Sequence, residues 1–187
     1  VLGSLVKGSF IAKKEIEKGP VFGFMTSLKK SIFDERLREH AATQSKQVKQ
    51  RLLDGDNLMV FPEGTSSDGN GVLPFKSSLF SLVQNVEGLA IQPISITYAQ
   101  IDGIPMGTGL RPRVAWYGDM TMLPHLWGLL GLGKIKVIVD FNPPLIDEVK
   151  TLGRKEIAVV TREAIVHSHE RALREPVEMK KKNRKNA

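Results

Sequence analysis

The amino-acid sequence predicts an α/β fold: a mostly parallel β-sheet flanked by helices, in a single domain. Short runs rich in β-branched and other apolar residues alternate with segments of helical periodicity, which is typical of parallel sheets with crossover helices. The chain has 187 residues, of which 41% are hydrophobic and 25% are charged, a composition that suits one hydrophobic core. Residues 1–175 are predicted to form the domain, and residues 176–187 are expected to be a basic, disordered tail.

Short segments with the composition of β-strands are spread along the whole chain. They are Ser9–Ala12, Ser31–Phe33, Asn57–Phe61, Ala90–Tyr98, Arg113–Tyr117 and Ile135–Phe141. Ligands of open α/β sheets gather at the carboxyl ends of strands, so the loop that follows Asn57–Phe61 is a favourable place for a binding site.

Helical periodicity is present in three segments between and after these strands. Leu37–Leu53 places apolar residues on one face and is followed by Gly55, which can end the helix. Lys76–Val86 is a second predicted helix. Arg154–Arg174 is the third, and its apolar stripe is formed by Ile157, Val160, Ala164 and Ile165.

Two further segments lack a simple periodicity. Asp102–Pro112 is rich in proline and glycine and is predicted to be a long surface loop. Thr121–Gly133 is apolar on nearly all sides, which predicts a buried helix. The alternatives are an amphipathic helix at a membrane interface or the wall of an acyl-chain pocket, and Trp127 and the basic chain around it support them.

The charge balance favours an anionic partner. The net charge is +7, which suits nucleic acid, a membrane surface or a phosphorylated small molecule. Aromatic residues, which could stack on bases, make up only 6% of the chain, and the sequence has no recognisable nucleic-acid-binding motif. Nucleic acid is therefore not expected as a partner. The chain has no cysteine, which excludes thiolate metal sites, and its histidines do not predict a metal site. Among them only His125 is expected to lie away from the surface.

The stretch FPEGTSSDGNGVLPFK, residues 61–76, carries groups suited to a polar ligand. Glu63 can accept hydrogen bonds from substrate hydroxyls, and Gly64 allows close approach to the backbone. Thr65 can donate from its hydroxyl, and Lys76 adds positive charge. The alternative is a strand-to-helix turn whose polar groups satisfy one another.

The complete string resembles the third signature block of the glycerolipid acyltransferases, the family of the 1-acylglycerol-3-phosphate acyltransferases. Phe33-Asp34-Glu35-Arg36 is similar to the second block of that family, and Gln92–Ile96 is similar to the fourth. The resemblance covers roughly Val1 to Pro144. Within the family, the extended forms of these motifs are most similar to the bacterial branch that includes the lyso-ornithine lipid acyltransferases.

The resemblance implies a role for each matching residue. Arg36 would bind the phosphate of a lysolipid, although Asp34 replaces the apolar residue usual in that block. Glu63 and Gly64 would hold the glycerol part, Thr65 would line the same site, and Lys76 is the added cation. The implied reaction moves an acyl group from acyl-CoA or acyl carrier protein to the free hydroxyl of a lysolipid, without a cofactor. The expected acceptor is 1-acylglycerol-3-phosphate, which gives phosphatidic acid in phospholipid biosynthesis.

The general base of the family is a histidine held by an aspartate in an H-x4-D block, and the 187 residues contain no such block. By resemblance, the block is expected upstream of Val1, so no catalytic residue is predicted and the chain alone is expected to be inactive. The alternative is a non-catalytic lysolipid- or phosphate-binding module. The predicted location is cytoplasmic and peripheral, on the inner face of the cell membrane.

Overall fold

A computed structural model describes residues 2–6, 8–13, 32–34, 48–83, 86 and 88–174 of the chain. Within these residues, the helices are Leu2–Leu5, residues 48–53, Met122–Leu130, Asp147–Thr151 and Arg154–Arg174, with 3₁₀ turns at Ser77–Leu82 and Arg111–Arg113. The strands are β1 (Ser9–Lys13), β2 (Ile32–Asp34), β3 (Leu58–Met59), β4 (Ile94–Ile101), β5 (Ile104–Pro105) and β6 (Ile135–Phe141). The predicted tail, residues 176–187, and most of the predicted helix Leu37–Leu53 lie outside the described residues.

A small parallel sheet, in the order β2-β1-β3, positions the start of the loop formed by residues 61–76, which we call the FPEGT loop or the 61–76 loop. Ile11 pairs with Ile32, and Ser9 pairs with Leu58, both in parallel register. Because β3 ends at Met59, the chain leaves the carboxyl end of this strand and enters the 61–76 loop directly. The loop therefore lies at the predicted edge of a parallel sheet.

The more extensive sheet is antiparallel, in the order β5-β4-β6. β4 and β6 pair from Ile94↔Phe141 to Ile101↔Ile135, with an irregularity between Tyr98 and Gln100. The α/β class is confirmed, but a mostly parallel sheet is not. A parallel connection needs a crossover helix that packs back onto the sheet. The helix between these strands, Met122–Leu130, packs mainly against the 3₁₀ turn Arg111–Arg113 instead.

Several predicted boundaries change for local reasons. Ile135–Phe141 and Arg154–Arg174 have the predicted bounds. The predicted strand Arg113–Tyr117 is wrong: the chain makes a 3₁₀ turn at Arg111–Arg113, where Pro112 lacks the N–H that a strand ladder requires. Similarly, β4 begins after Pro93, and Ile91 forms only an isolated bridge with Leu145.

Three other predicted elements differ in length or environment. Helix Lys76–Val86 is reduced to the 3₁₀ turn Ser77–Leu82. The predicted surface loop Asp102–Pro112 contains β5 and two buried side chains, Met106 and Arg111. The segment Thr121–Gly133 does form a helix, but it is not buried, since 79% of Trp127 is exposed.

The hydrophobic core lies where the long helix Arg154–Arg174 packs against β4 and the 3₁₀ turn Ser77–Leu82. Ile157, which is fully buried, packs with Phe80 and Ala158 at its centre. Phe75 and Phe80 stack with their ring centroids 6.3 Å apart. Because Phe75 belongs to the 61–76 stretch, this core also anchors the end of the candidate loop.

Replacement of Ile157 by Ala is expected to lower the free energy of unfolding by about 2–5 kcal/mol, because it leaves a cavity where the helix meets Phe80. Val159, two residues along the same helix and 54% exposed, is the matched control, and Val159→Ala should change stability by less than about 0.5 kcal/mol. Urea denaturation measures both changes. Equal effects of the two substitutions would contradict the assignment of the core.

Candidate functional site

The 61–76 loop is closed at its base by backbone hydrogen bonds. The N–H of Lys76 donates to the carbonyl of Pro62 at 2.8 Å, and the N–H of Gly64 donates to the carbonyl of Phe61 at 3.1 Å. The first bond joins the two ends of the loop, so residues 63–75 project from one point beside β3. The motif is thus held as a compact unit although most of it has no regular secondary structure.

Gly64 and Lys76, both predicted site residues, are brought into contact. Gly64 has a φ of +68°, a conformation that other residues rarely adopt. A Cβ at this position would lie 2.5 Å from Nζ of Lys76. The lysine side chain therefore lies over the glycine, and any larger residue here would displace it. The pair places an ammonium group directly over the backbone of Gly64.

Glu63 is half-buried, and one of its two oxygens is used within the loop. The N–H of Leu73 donates to its Oε2 at 2.9 Å. Burial raises the pKa of Glu63, and the Leu73 N–H and the nearby Arg162 guanidinium offset part of that rise. Oε1 has no hydrogen bond to the part of the chain that the structure describes. This oxygen is the group that can accept a hydrogen bond from a ligand.

Arg162, which the sequence did not predict as a site residue, binds the loop at Leu73, the residue that Glu63 also binds. Its Nε donates to the carbonyl of Leu73 at 3.0 Å, and its Nη2 donates to the carbonyl of Val72 at 2.6 Å. Glu63 and Arg162 therefore bind the N–H and the C=O of Leu73. Arg162 could not be predicted from the helical periodicity, which identifies only the apolar stripe of this helix. Its partners, Leu73 and Val72, lie 89 and 90 positions earlier in the chain.

The tip of the loop is ordered by turn chemistry, as its Asp-Gly-Asn-Gly sequence predicts. Asp68 accepts hydrogen bonds from the N–H of Asn70 at 3.0 Å and from its side-chain amide at 2.8 Å, and these bonds lower the pKa of Asp68. The buried Arg111 supports this turn: its Nη1 donates to Asn70 Oδ1 at 3.0 Å, and its Nη2 donates to the carbonyl of Met106. Arg111 was not predicted as a site residue either.

The remaining predicted site residues are Thr65 and Arg36. Thr65 is exposed, and the described part of the chain offers its hydroxyl no hydrogen bond. Arg36, the predicted phosphate ligand, lies outside the described residues, as does the rest of its block after Asp34. The structure thus brings Lys76 against Gly64, whose neighbours in sequence are Glu63 and Thr65. The roles that the family resemblance implies for these residues stay predictions.

A cavity of about 1020 Å³ lies beside the loop. Its described wall includes Glu63 from the loop, Tyr98 from β4, Leu129 from the helix Met122–Leu130, and Ile165 from the long helix. This volume is at the upper end for small-molecule sites and its lining is mostly apolar. The cavity can therefore accept an extended apolar group whose polar end meets the loop.

Buried polar atoms are also present in the cavity wall. Oγ of Ser95, Oγ1 of Thr161 and Nε2 of His169 have no hydrogen-bond partner among the described residues, and all three residues line the cavity. His125 lines it as well, and its Nε2 is likewise buried and unpartnered there. The prediction that only His125 would lie away from the surface is wrong, because His169 is buried too.

His169 is oriented by Thr97 of β4, whose Oγ1 lies 2.9 Å from His169 Nδ1. Burial lowers the pKa of His169 below its ordinary value of 6.5. Arg111 lowers it further, and Glu170 opposes the shift. The neutral imidazole therefore forms part of the contact between the long helix and the sheet.

The described residues contain neither a cluster of metal-binding side chains nor a membrane-spanning helix. No group of three or more histidine, aspartate or glutamate side chains among them is arranged to hold a metal ion. In the same part of the chain, no helix has the length and apolar character that a membrane crossing requires.

Replacement of Arg162 by Gln removes the two bonds to the carbonyls of Val72 and Leu73. We expect the amide of Leu73 to exchange with deuterium about tenfold faster, because the loop opens more readily. Arg154→Gln, at the exposed start of the same helix, is the control and should leave this exchange rate unchanged. An unchanged rate in Arg162→Gln would show that Arg162 does not hold the loop.

The lowered pKa of His169 has a consequence for stability. The unfolded chain binds a proton at this position more readily than the folded chain, so the free energy of unfolding should fall as the pH drops below about 6.5. His169→Gln removes this titration, so stability should depend less on pH between pH 7 and 5. His167→Gln, which alters an exposed imidazole two residues away, should retain the wild-type dependence. Denaturant midpoints measured across this range test the difference.

Comparison with known proteins gives one consistent family. The acyltransferase family model matches residues 2–97, about half of the chain. The chain is 41% identical over 165 residues to the lyso-ornithine lipid O-acyltransferase of Brucella abortus, covering 84% of this chain and 61% of that protein. It is 30% identical over 141 residues to the 1-acyl-sn-glycerol-3-phosphate acyltransferase of Neisseria gonorrhoeae, covering 75% of this chain and 52% of that protein.

The fold has a solved counterpart. The crystal structure of the 1-acyl-sn-glycerophosphate (LPA) acyltransferase PlsC from Thermotoga maritima matches with a TM-score of 0.61 at 22% identity, covering 92% of this chain and 60% of that one. The chain spans between half and two thirds of the length of these proteins. The matched residues include the FPEGT loop, β3 and the first half of β4. The chain therefore belongs to the acyltransferase family.

Proposed function

We propose that this chain binds the lysolipid acceptor in an enzyme that transfers an acyl group from acyl-CoA or acyl carrier protein to the free hydroxyl of that lysolipid. The observation that carries the proposal is the 61–76 loop, where Lys76 lies against Gly64 and the adjacent Glu63 lines a mostly apolar cavity. Such a site combines a carboxylate for a hydroxyl, a cation for a phosphate and space for an acyl chain. The family match supports it.

Each part of the site has a distinct physical task in this proposal. Leu73 holds Oε2 of Glu63, so that Oε1 accepts a hydrogen bond from a hydroxyl of the acceptor. The ammonium of Lys76 lies over Gly64 and attracts the anionic group of the acceptor. Arg36 is proposed as the phosphate ligand, and Thr65 as a hydroxyl at the exposed edge. No metal or organic cofactor is required for this transfer.

The proton transfer needs a base that these residues do not supply. The proposed base is the histidine of an H-x4-D block upstream of Val1, which takes the proton of the acceptor hydroxyl. Within this chain the residues bind and orient the acceptor. The prediction that the 187 residues alone are inactive follows from this division.

The acceptor proposed from the motifs is 1-acylglycerol-3-phosphate, which would give phosphatidic acid. Lyso-ornithine lipid is a second candidate, because lyso-ornithine lipid O-acyltransferases of Brucella abortus and Rhizobium meliloti are 41% and 39% identical to this chain. Parallel acylation assays with the two acceptors distinguish these substrates. Since both acceptors are membrane lipids, we propose that the enzyme acts at the inner face of the cell membrane.

The alternative is a module that binds lysolipid or phosphate without turnover. The coding sequence upstream of Val1 separates the two: an in-frame H-x4-D block supports the enzyme, and its absence supports the binding module. In the second case lysolipid binding persists, and no acyl transfer occurs in any natural form of the protein.

Replacement of Glu63 by Gln tests the proposed contact in the natural gene product that contains these residues. The amide oxygen can still accept the Leu73 N–H, so the loop should remain intact while the charge is lost. We expect kcat/KM for the lysolipid to fall by about 10- to 100-fold, since hydrogen bonds to charged groups are the strong ones. The measurement is transfer of a radiolabelled acyl group from acyl-CoA.

Glu163→Gln is the matched control, because this exposed glutamate follows Arg162 on the long helix but does not line the cavity. It should leave kcat/KM unchanged. An unchanged rate in Glu63→Gln, with the acceptor below its KM, would rule out a contact between the Glu63 carboxylate and the lysolipid.

A further inference from the structure

The helix Met122–Leu130 exposes a continuous apolar stripe. Leu123, Leu126, Trp127 and Leu130 are spaced as i, i+3, i+4 and i+7, which places them on one side of the helix. Their exposed fractions are 62%, 41%, 79% and 72%. We call this set the Trp127 face. It contains some of the most exposed large apolar side chains in the described part of the chain.

The less exposed side of the same helix faces the candidate site. His125 and Leu129 are only partly exposed, and both line the cavity next to the FPEGT loop. Leu126 belongs to the Trp127 face and also lines the cavity. The helix is therefore a thin wall between the cavity and the surroundings, with apolar side chains on both sides.

Two exposed basic residues lie in segments next to this helix. The helix itself, MLPHLWGLL, contains no Asp, Glu, Lys or Arg. Arg113 is exposed on the 3₁₀ turn against which the helix packs, and Lys134 is exposed four residues after the helix ends. Tryptophan and leucine next to lysine and arginine form the composition that binds at the boundary between headgroups and acyl chains of an anionic bilayer.

We propose that the Trp127 face inserts into the surface of an anionic lipid bilayer and so docks the cavity wall against the membrane. This inference rests on the proposed membrane association and names the surface responsible. The apolar side chains enter the boundary of the acyl chains, while Arg113 and Lys134 remain at the level of the headgroups. A lysolipid then has a short path from the bilayer to the cavity behind the helix.

The test uses Trp127 as a reporter. The chain has two tryptophans, so Trp116→Phe leaves Trp127 as the single one. Vesicles that contain phosphatidylglycerol should shift its emission to the blue, and brominated acyl chains should quench it. Vesicles of phosphatidylcholine alone should bind at least about tenfold more weakly, because the two flanking cations then gain nothing from anionic headgroups.

A matched pair of variants locates the surface. Leu123→Ser with Leu130→Ser should weaken vesicle binding at least about tenfold, since two large apolar side chains no longer enter the bilayer. Leu53→Ser alters a leucine of nearly equal exposure, 59%, on another helix and should bind as the parent does. All these side chains are exposed, so circular dichroism should show a retained fold in each variant.

Other outcomes would overturn the inference. They are an unshifted Trp127 emission with anionic vesicles, equal losses for the Leu53 and Leu123/Leu130 variants, or equal binding to neutral and anionic vesicles. Light scattering tests one further outcome. If the parent forms a dimer and does not bind vesicles, and the Leu123/Leu130 variant is a monomer, the Trp127 face is a contact with a second copy of the chain. Acyl transfer to micellar lysolipid, measured in the natural gene product that contains these residues, would leave the proposed function standing in each of these cases if it persists in the Leu123/Leu130 variant.

Discussion

The packing of the long helix Arg154–Arg174 against β4 and the Ser77–Leu82 turn is the constraint on which the site depends. This packing buries Ile157 against Phe80, and it fixes the position of every other residue on the helix. One turn further along, Thr161 and Arg162 reach the cavity and the loop, and two turns beyond that His169 meets Thr97. A helix is stiff over this length, so the core contact at its start determines the geometry of the site.

The FPEGT loop illustrates how a binding loop is made rigid without regular secondary structure. Its two ends are joined through Pro62 and Lys76, and Leu73 is bound on both its N–H and its C=O. This arrangement uses Oε2 of Glu63 and leaves Oε1 without a hydrogen bond to the described residues. Partial burial disfavours the charged carboxylate, whereas the Leu73 N–H and Arg162 favour it. The loop structure and the proposed contact with the lysolipid therefore depend on the same side chain.

The helix Met122–Leu130 shows why apolar composition alone does not predict burial. A nine-residue segment with this sequence can lie in a core or at a membrane surface, and both environments remove it from water. Its position beside the cavity and the 3₁₀ turn Arg111–Arg113 leaves the side chains of one face largely exposed. Whether such a helix is buried or exposed therefore depends on the segments that surround it.

The sequence by itself determined the features that depend on neighbouring residues. The bounds of β6 and of the long helix follow from local periodicity, and the family follows from a contiguous motif, FPEGT with LPFK, whose turn at Asp68 is also local. The α/β class could be predicted for the same reason. The candidate site residues Glu63, Gly64, Thr65 and Lys76 could be predicted together because they lie within one short stretch.

Only the tertiary structure decided the features that join distant segments. The antiparallel direction of β4 and β6, the clamp of Arg162 on Leu73 and the burial of His169 against Thr97 are of this kind. These last two contacts join residues 89 and 72 positions apart. Local periodicity reports which side of an element is apolar, but not which segment will cover that side or which polar group will meet it there. The physical reason is that burial and pairing are properties of contacts between segments, which no single segment contains.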